Sequence, residues 1–190
     1  LLNTIGFVPD GFHRLEEYPF LPVRLFKEYE LVSIDRSKII KTMTSSGTTG
    51  QSVSRIFLDR ATASNQTKVL AKIASSIIGT KRLPLLIIDN KSVVKNRNSY
   101  TARGAGILGF SMFGLDVTYA LDEEMKLDFD AVQSFCQKHR NENILLFGFT
   151  YIVWKHFFKP LRELGQTLAL ENATLLHGGG WKKLFEEAVD

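Results

Sequence analysis

The densest concentration of groups able to do chemistry is Thr44-Ser45-Ser46-Gly47-Thr48-Thr49-Gly50, with five hydroxyls and two glycines in seven residues. Glycine lets a backbone curl until successive N–H groups converge on one point, and the hydroxyls add donors, so the segment can cradle an anion such as phosphate. The same composition also makes an ordinary Ser/Thr/Gly turn. It is not a Walker A loop, because no Gly-Lys-Ser/Thr follows a four-residue gap. A second glycine-rich point is His177-Gly178-Gly179-Gly180-Trp181-Lys182-Lys183. Three consecutive glycines leave bare backbone against which a flat ligand can lie, or simply form a loose turn.

Other motifs carry less. Gly104-Ala105-Gly106-Ile107-Leu108-Gly109 matches G-x-G-x-x-G, but polar residues 98–103 precede it where a dinucleotide fold needs a strand. Close helix packing through small residues is the better reading. Gly109-Phe110-Ser111-Met112-Phe113 misses the second glycine that a serine nucleophile elbow needs. His13, His139, His156 and His177 show no metal-ligand spacing, and no metal site is expected. His139 and His156 read as helix-surface residues. Cys136 falls on a helical stripe and reads as a small buried hydrophobe. Phe147, Phe149, Tyr151, Trp154, Phe157 and Phe158 read as core, with the capacity to wall an apolar slot.

These groups need a scaffold. Ile39–Thr44 and Arg55–Leu58 have strand character, and Asp59 can cap a helix running to about Ile78 whose stripe is Leu70, Ile73, Ala74 and Ile77. Leu83–Asp89 and Ile144–Phe149 are continuous apolar runs of the kind buried in parallel sheets. Asp116–Leu121 and Ala173–His177 complete the strands. Helices are expected at Thr101–Phe113, after Asp128 and Thr150 as caps, and from Trp181 on, with Pro160 kinking the third. Strands beginning near residues 83, 116, 144 and 173 with helices between form a βαβ series. The expected fold is α/β: a largely parallel sheet flanked by helices, with ligands beyond the carboxyl ends of its strands, after Thr44, Asp89, Phe149 and His177.

Composition sets the remaining bounds. The chain has 190 residues, 44% apolar and 23% charged, which excludes disordered and fibrous classes. One cysteine excludes a disulfide framework. A net charge of +4 does not call for nucleic acid. Lys91, Lys95, Arg97 and Arg103 form an acid-free stretch, read as a solvated loop or a landing site for phosphate or an acidic carrier protein. No apolar run approaches the roughly 18 residues of a membrane span. No signal peptide is evident, and a cytoplasmic location is expected. Residues 1–38 are expected to be an irregular lead-in, with three of the five prolines, and 39–190 a partial α/β domain truncated at its C-terminus.

Three segments together resemble one family: TMTSSGTTGQSVSRIFLD (Thr42–Asp59), KRLPLLIIDNKS…ARGAGILGF (Lys81–Phe110) and LLFGFTYIVW…LLHGGGWKKL (Leu145–Leu184). They are similar to the acyl-protein synthetase (LuxE-like) family, of the long-chain-fatty-acid–luciferin-component ligase type, within the adenylate-forming superfamily. SSGTTG is shared with acyl- and aryl-CoA ligases, whereas FGFT and HGGGWKKL narrow the likeness.

The resemblance implies an N-terminal domain of the adenylate-forming type. It further implies ATP- and Mg2+-dependent activation of a fatty or other carboxylic acid to acyl-adenylate, then transfer to a protein thiol, with an acyl-reductase or carrier protein as partner. On the resemblance, Ser45, Ser46, Gly47, Thr48, Thr49 and Gly50 bind phosphates. His177, Gly178, Gly179 and Gly180 lie along the adenine, and Phe149 and Thr150 line the acyl pocket. Gln51-Ser52-Val53-Ser54 stands where the superfamily has Pro-Lys-Gly, so a loop lysine is missing. The superfamily's metal-binding Tyr-Gly-x-Thr-Glu, ribose-binding aspartate, catalytic lysine and acyl-accepting cysteine have no counterpart in these residues, so the catalytic groups are expected downstream and this stretch alone is expected to be inactive. The rival expectations are an acyl- or aryl-CoA ligase, or a non-catalytic nucleotide- or partner-binding domain.

Overall fold

The alternation of apolar residues along β3 (Leu83–Ile88) and β6 (Ile144–Phe149) builds the centre of the molecule. Successive side chains on a strand point to opposite faces. Leu86 and Ile88 with Ile144 and Leu146 therefore enter one core, and Leu85 and Ile87 with Leu145 and Phe147 enter the other. A strand buried on both faces has no polar side, which is why both segments are continuous apolar runs. The computed structural model describes residues 14–45, 52–95 and 100–181 together with 186 and 188.

The main sheet is parallel throughout, in the order β5-β3-β6-β7, with β5 at Gly114–Tyr119 and β7 at Ala173–Gly178. Chain order and spatial order disagree. From β3 the chain crosses to β5, returns past β3 to β6 and continues to β7. Helices cover both faces, as the sequence leads one to expect of an α/β fold. Ile107 and Phe110 of α3 (Ala102–Ser111) join one core. Val132, Phe135 and Cys136 of α4 (Phe129–Lys138) join the other, with the helical segment Thr150–Ile152, Val153–Phe158 and Lys159–Glu163. That segment stays helical past Pro160 by widening to a π-helix over Val153–Phe158. Proline lacks an N–H for the turn before it, and a wider turn absorbs the loss.

A smaller sheet has the order β2-β1-β4, from β1 (Lys41–Thr44), β2 (Arg55–Leu58) and β4 (Tyr100–Thr101). β1 and β2 pair antiparallel, and β4 lies parallel to β1 with Met43 opposite Tyr100 and Thr44 opposite Thr101. The remaining helices are α1 (Leu25–Glu28) and α2 (Arg60–Ile78); the Asp59 carboxylate caps α2 by accepting the Thr62 N–H at 2.8 Å.

Four local expectations are corrected. The α2 stripe is only partly used: Ala74 is buried, but Ile73 and Ile77 remain 57% and 59% exposed. Ala74 and Leu70 reach inward, and Leu70 would meet a Cβ on Gly109 at 3.1 Å. His139 is not a surface residue; its side chain is 8% exposed, with ring nitrogens 2.8 Å from the carboxylates of Asp116 and Glu142. Thr150 does not cap its helix, because the cap position is Phe149. The acid-free basic stretch is not simply solvated: Lys95 pairs with Glu123 at 2.8 Å and Arg103 with Asp89 at 2.7 Å. Arg97 and residues 182–185, with most of the helix expected from Trp181, lie outside the described residues.

Candidate active site

The reversal of strand order occurs between β3 and β6, since the chain leaves β3 toward one edge and leaves β6 toward the other. In open α/β sheets the connections at such a point diverge to opposite faces and leave a crevice at the carboxyl ends. Here that end of the sheet carries Asp89 and Asn90 after β3, Phe149 as the last residue of β6, and Thr150 and Tyr151 after it.

Asp89 is 1% exposed. Its carboxylate accepts the Asn90 N–H at 2.7 Å and two N–H groups of Arg103, Nε on Oδ2 and Nη2 on Oδ1, both at 2.7 Å. Arg103 stands in the first turn of α3, whose N-cap Thr101 accepts the Gly104 N–H at 3.2 Å. Burial works against the Arg103 charge, but the bond and charge of Asp89, with a further contribution from Tyr151, outweigh it and raise the guanidinium pKa. Burial first, and then the Asp89 charge, push the Tyr119 phenol up. Met125 closes this group. Its sulfur lies 2.8 Å from Asn90 Nδ2, its carbonyl 2.8 Å from His156 Nδ1, and its φ is 63°, a backbone region that costs a non-glycine residue energy.

The apolar side is aromatic. Phe149 meets Phe147 edge-on with centroids 6.1 Å apart. A Cβ on Gly106 would stand 3.3 Å from Phe147 and 3.4 Å from Phe149, so the glycine lets α3 lie directly on these rings. Close packing is thus the use this G-x-G-x-x-G segment serves. Beyond Phe149, the Thr150 Oγ1 lies 3.0 Å from His177 Nδ1, and 3.2 and 3.1 Å from the carbonyl oxygens of Gly178 and Gly179. A polar line therefore follows the carboxyl edge: Asp89, Arg103 and Tyr151 to one side, Thr150 and the exposed glycine turn to the other.

Pairing in the small sheet sets Thr44, the last residue of β1, opposite Thr101 at the start of α3. Ser45 closes the loop base: its N–H donates to the Ser54 carbonyl at 3.0 Å, and its hydroxyl accepts the Ser54 N–H at 2.9 Å.

Residues 7–190 match the family described as acyl-protein synthetase, LuxE. The chain belongs to that family. No curated protein sequence matches it. As a member of the LuxE acyl-protein synthetases, the chain places its expected site residues as follows. Ser45 is at the loop base, while Ser46, Gly47, Thr48, Thr49 and Gly50 lie outside the described residues. Phe149 ends β6 and Thr150 starts the helix after it, and His177, Gly178, Gly179 and Gly180 follow in and after β7, close enough for Thr150 to bond three of these four. Sequence reading singled out Arg103, Tyr151 and the loop after Asp89 separately without joining them, and it missed Met125. Only the acid closing an apolar strand and the lone arginine before the glycine run were legible signals.

Among the described residues no group of three His, Cys, Asp or Glu side chains could hold a metal ion, and Asp89 is committed to Arg103. These described residues do not form a Mg2+ cage. No helix among them is long and apolar enough to cross a membrane.

Proposed function

We propose that this LuxE-family chain belongs to an ATP-dependent acyl-protein synthetase, with residues 39–190 forming part of its adenylate-forming domain. The enzyme activates a fatty acid as its acyl-adenylate and passes the acyl group to a protein thiol. ATP, accompanied by Mg2+, would supply the AMP group that turns the carboxylate oxygen into a leaving group, with pyrophosphate released. In the second half a thiolate attacks the acyl carbon and AMP departs.

The observation that carries this reading is a run of contacts across the carboxyl ends of the strands. The β1–β4 pairing sets the loop base beside α3, α3 lies on Phe149, and Phe149 touches Gly179. In this reading the backbone and hydroxyls of Ser45–Gly50 hold the phosphates. The Gly178–Gly180 turn carries the adenine, with His177 at its head. Phe149 and Thr150 stand between, where carboxylate and α-phosphate must meet, and holding two reactants in one orientation supplies much of the rate. The acceptor thiol is not Cys136, which is 3% exposed and whose pKa is pushed up by burial. An acyl-reductase or an acyl carrier fits as the downstream partner.

The complete gene product should exchange labelled pyrophosphate into ATP only when a fatty acid is added. Hydrogen bonds to a charged acceptor are worth about 1.5–3 kcal/mol each, so a Thr48→Ala/Thr49→Ala double variant should lose at least about tenfold in exchange. A labelled fatty acid should then appear as a stoichiometric acyl-enzyme thioester. Consumption of free CoA instead would identify an acyl- or aryl-CoA ligase. Acid-independent binding of ATP without exchange would identify a non-catalytic domain.

A further inference from the structure

We infer that the Asp89–Arg103 ion pair is the positioning element of the acyl half of the site, seating the first turn of α3 on the carboxyl end of β3 so that Gly106 lies against Phe149. This rests on the reading that Phe149 lines the acyl pocket. Gly106 follows Arg103 by three residues, nearly one helical turn, so a shift of the Arg103 end moves the glycine across the ring face. The two N–H···O bonds fix direction as well as distance, which a single contact cannot do.

The pair stands at the strand-order reversal, not in the apolar core beneath it. A buried ion pair is a poor source of net stability, because desolvation offsets most of its attraction. Its surroundings are specialised too. Met125 holds a left-handed backbone with its sulfur 3.5 Å from Arg103 Nη2, and Tyr151, in the first turn after Phe149, contributes to the Arg103 charge state. Asp89, Arg103 and Tyr151 thus connect the carboxyl ends of β3 and β6 with the first turn of α3, the three elements that meet around Phe149. The glycine turn after β7 shares the contact with Phe149 but has its own bonds, to Thr150.

The test uses pyrophosphate exchange by the complete gene product, with fatty acid and ATP varied separately, beside thermal unfolding. Arg103→Lys keeps the charge and loses the fork. Asp89→Leu/Arg103→Met removes both charges together and leaves no unpaired ion, so it preserves the fold if the single variant does not. In each folded variant the KM for fatty acid should rise by about tenfold or more while the KM for ATP changes by less than about twofold. Unchanged KM for the acid in a folded variant, or equal rises for both substrates, would overturn the inference while leaving the proposed activity in place. Wild-type protein showing no acid-dependent exchange would overturn that activity, and the inference with it.

Discussion

A Cβ added to Gly179 would stand 3.1 Å from Cδ1 of Phe149, so the turn after β7 rests directly on the ring that ends β6. Gly179 also has a φ of +79°, a conformation that L side chains rarely adopt. Gly178 and Gly180 have open space where a Cβ would go. Gly179→Ala should therefore cost about 1–2 kcal/mol of stability from backbone strain alone. Gly178→Ala and Gly180→Ala should leave the melting temperature nearly unchanged. If the turn carries the adenine, those two variants weaken ATP binding without loss of stability, which calorimetry and thermal unfolding on the same samples separate. A Gly179→Val change cannot make that separation, because it strains the turn and crowds Phe149 whether or not nucleotide binds.

Thr150 holds the same turn from the other side. Removing its hydroxyl leaves the contacts to His177 and to the carbonyls of Gly178 and Gly179 unmade. Thr150→Ala should cost about 0.5–1.5 kcal/mol and lower ATP affinity severalfold, and Thr150→Ser should restore both. Equal losses for Ser and Ala would show that the methyl group matters and the hydroxyl does not.

The close approach of β6 to its neighbours is tested at Gly148. A Cβ there would lie 2.6 Å from Val153 Cγ2 and 3.0 Å from Ile88 Cβ. Gly148→Ala should destabilise by about 1–3 kcal/mol, as overpacked cores do. Adding Val153→Ala removes the nearest clash, so the double variant should lose less than the sum of the two single losses. Additive losses in denaturant unfolding would place the strain against Ile88 instead.

Asp116 gives a pH dependence of known sign. The hydrogen bond from Lys138 first, then that of His139, hold its carboxyl below the usual value of 3.8. A depressed folded-state pKa contributes stability that is present above the unfolded value and lost as pH falls through the folded one. Asp116→Asn should thus be less stable than wild type at neutral pH, with the difference shrinking below about pH 4. Asn accepts the left-handed φ of 49° at this position, so the comparison isolates the charge. A difference that stays constant from pH 7 to pH 3 would assign the effect to packing.

Local spacing determined much of this protein. Two-faced apolar runs announced β3 and β6, the roughly thirty-residue rhythm of strands announced a parallel α/β sheet, and Asp59 and Asp128 announced helix starts as caps. The glycine turn and the FGFT segment marked the ends of β7 and β6, which the fold brings together through Thr150. These features are legible because they depend on hydrogen bonds and side-chain periods within a few residues. What decided the site was nonlocal. Strand order places the reversal between β3 and β6, and nothing in either strand records which neighbour it takes. β4 is only two residues long, too short to show a period, yet it brings Thr101 beside Thr44. Arg103 has the composition of a solvated loop until tertiary folding sets it on Asp89, fourteen residues earlier. His139 lies on an amphipathic helix face, and only the bulged edge strand β5 supplies the Asp116 carboxylate that lets it be buried. A polar or charged side chain is buried where partners offset its desolvation, and the distant ones among them are chosen by the packing of the whole sheet.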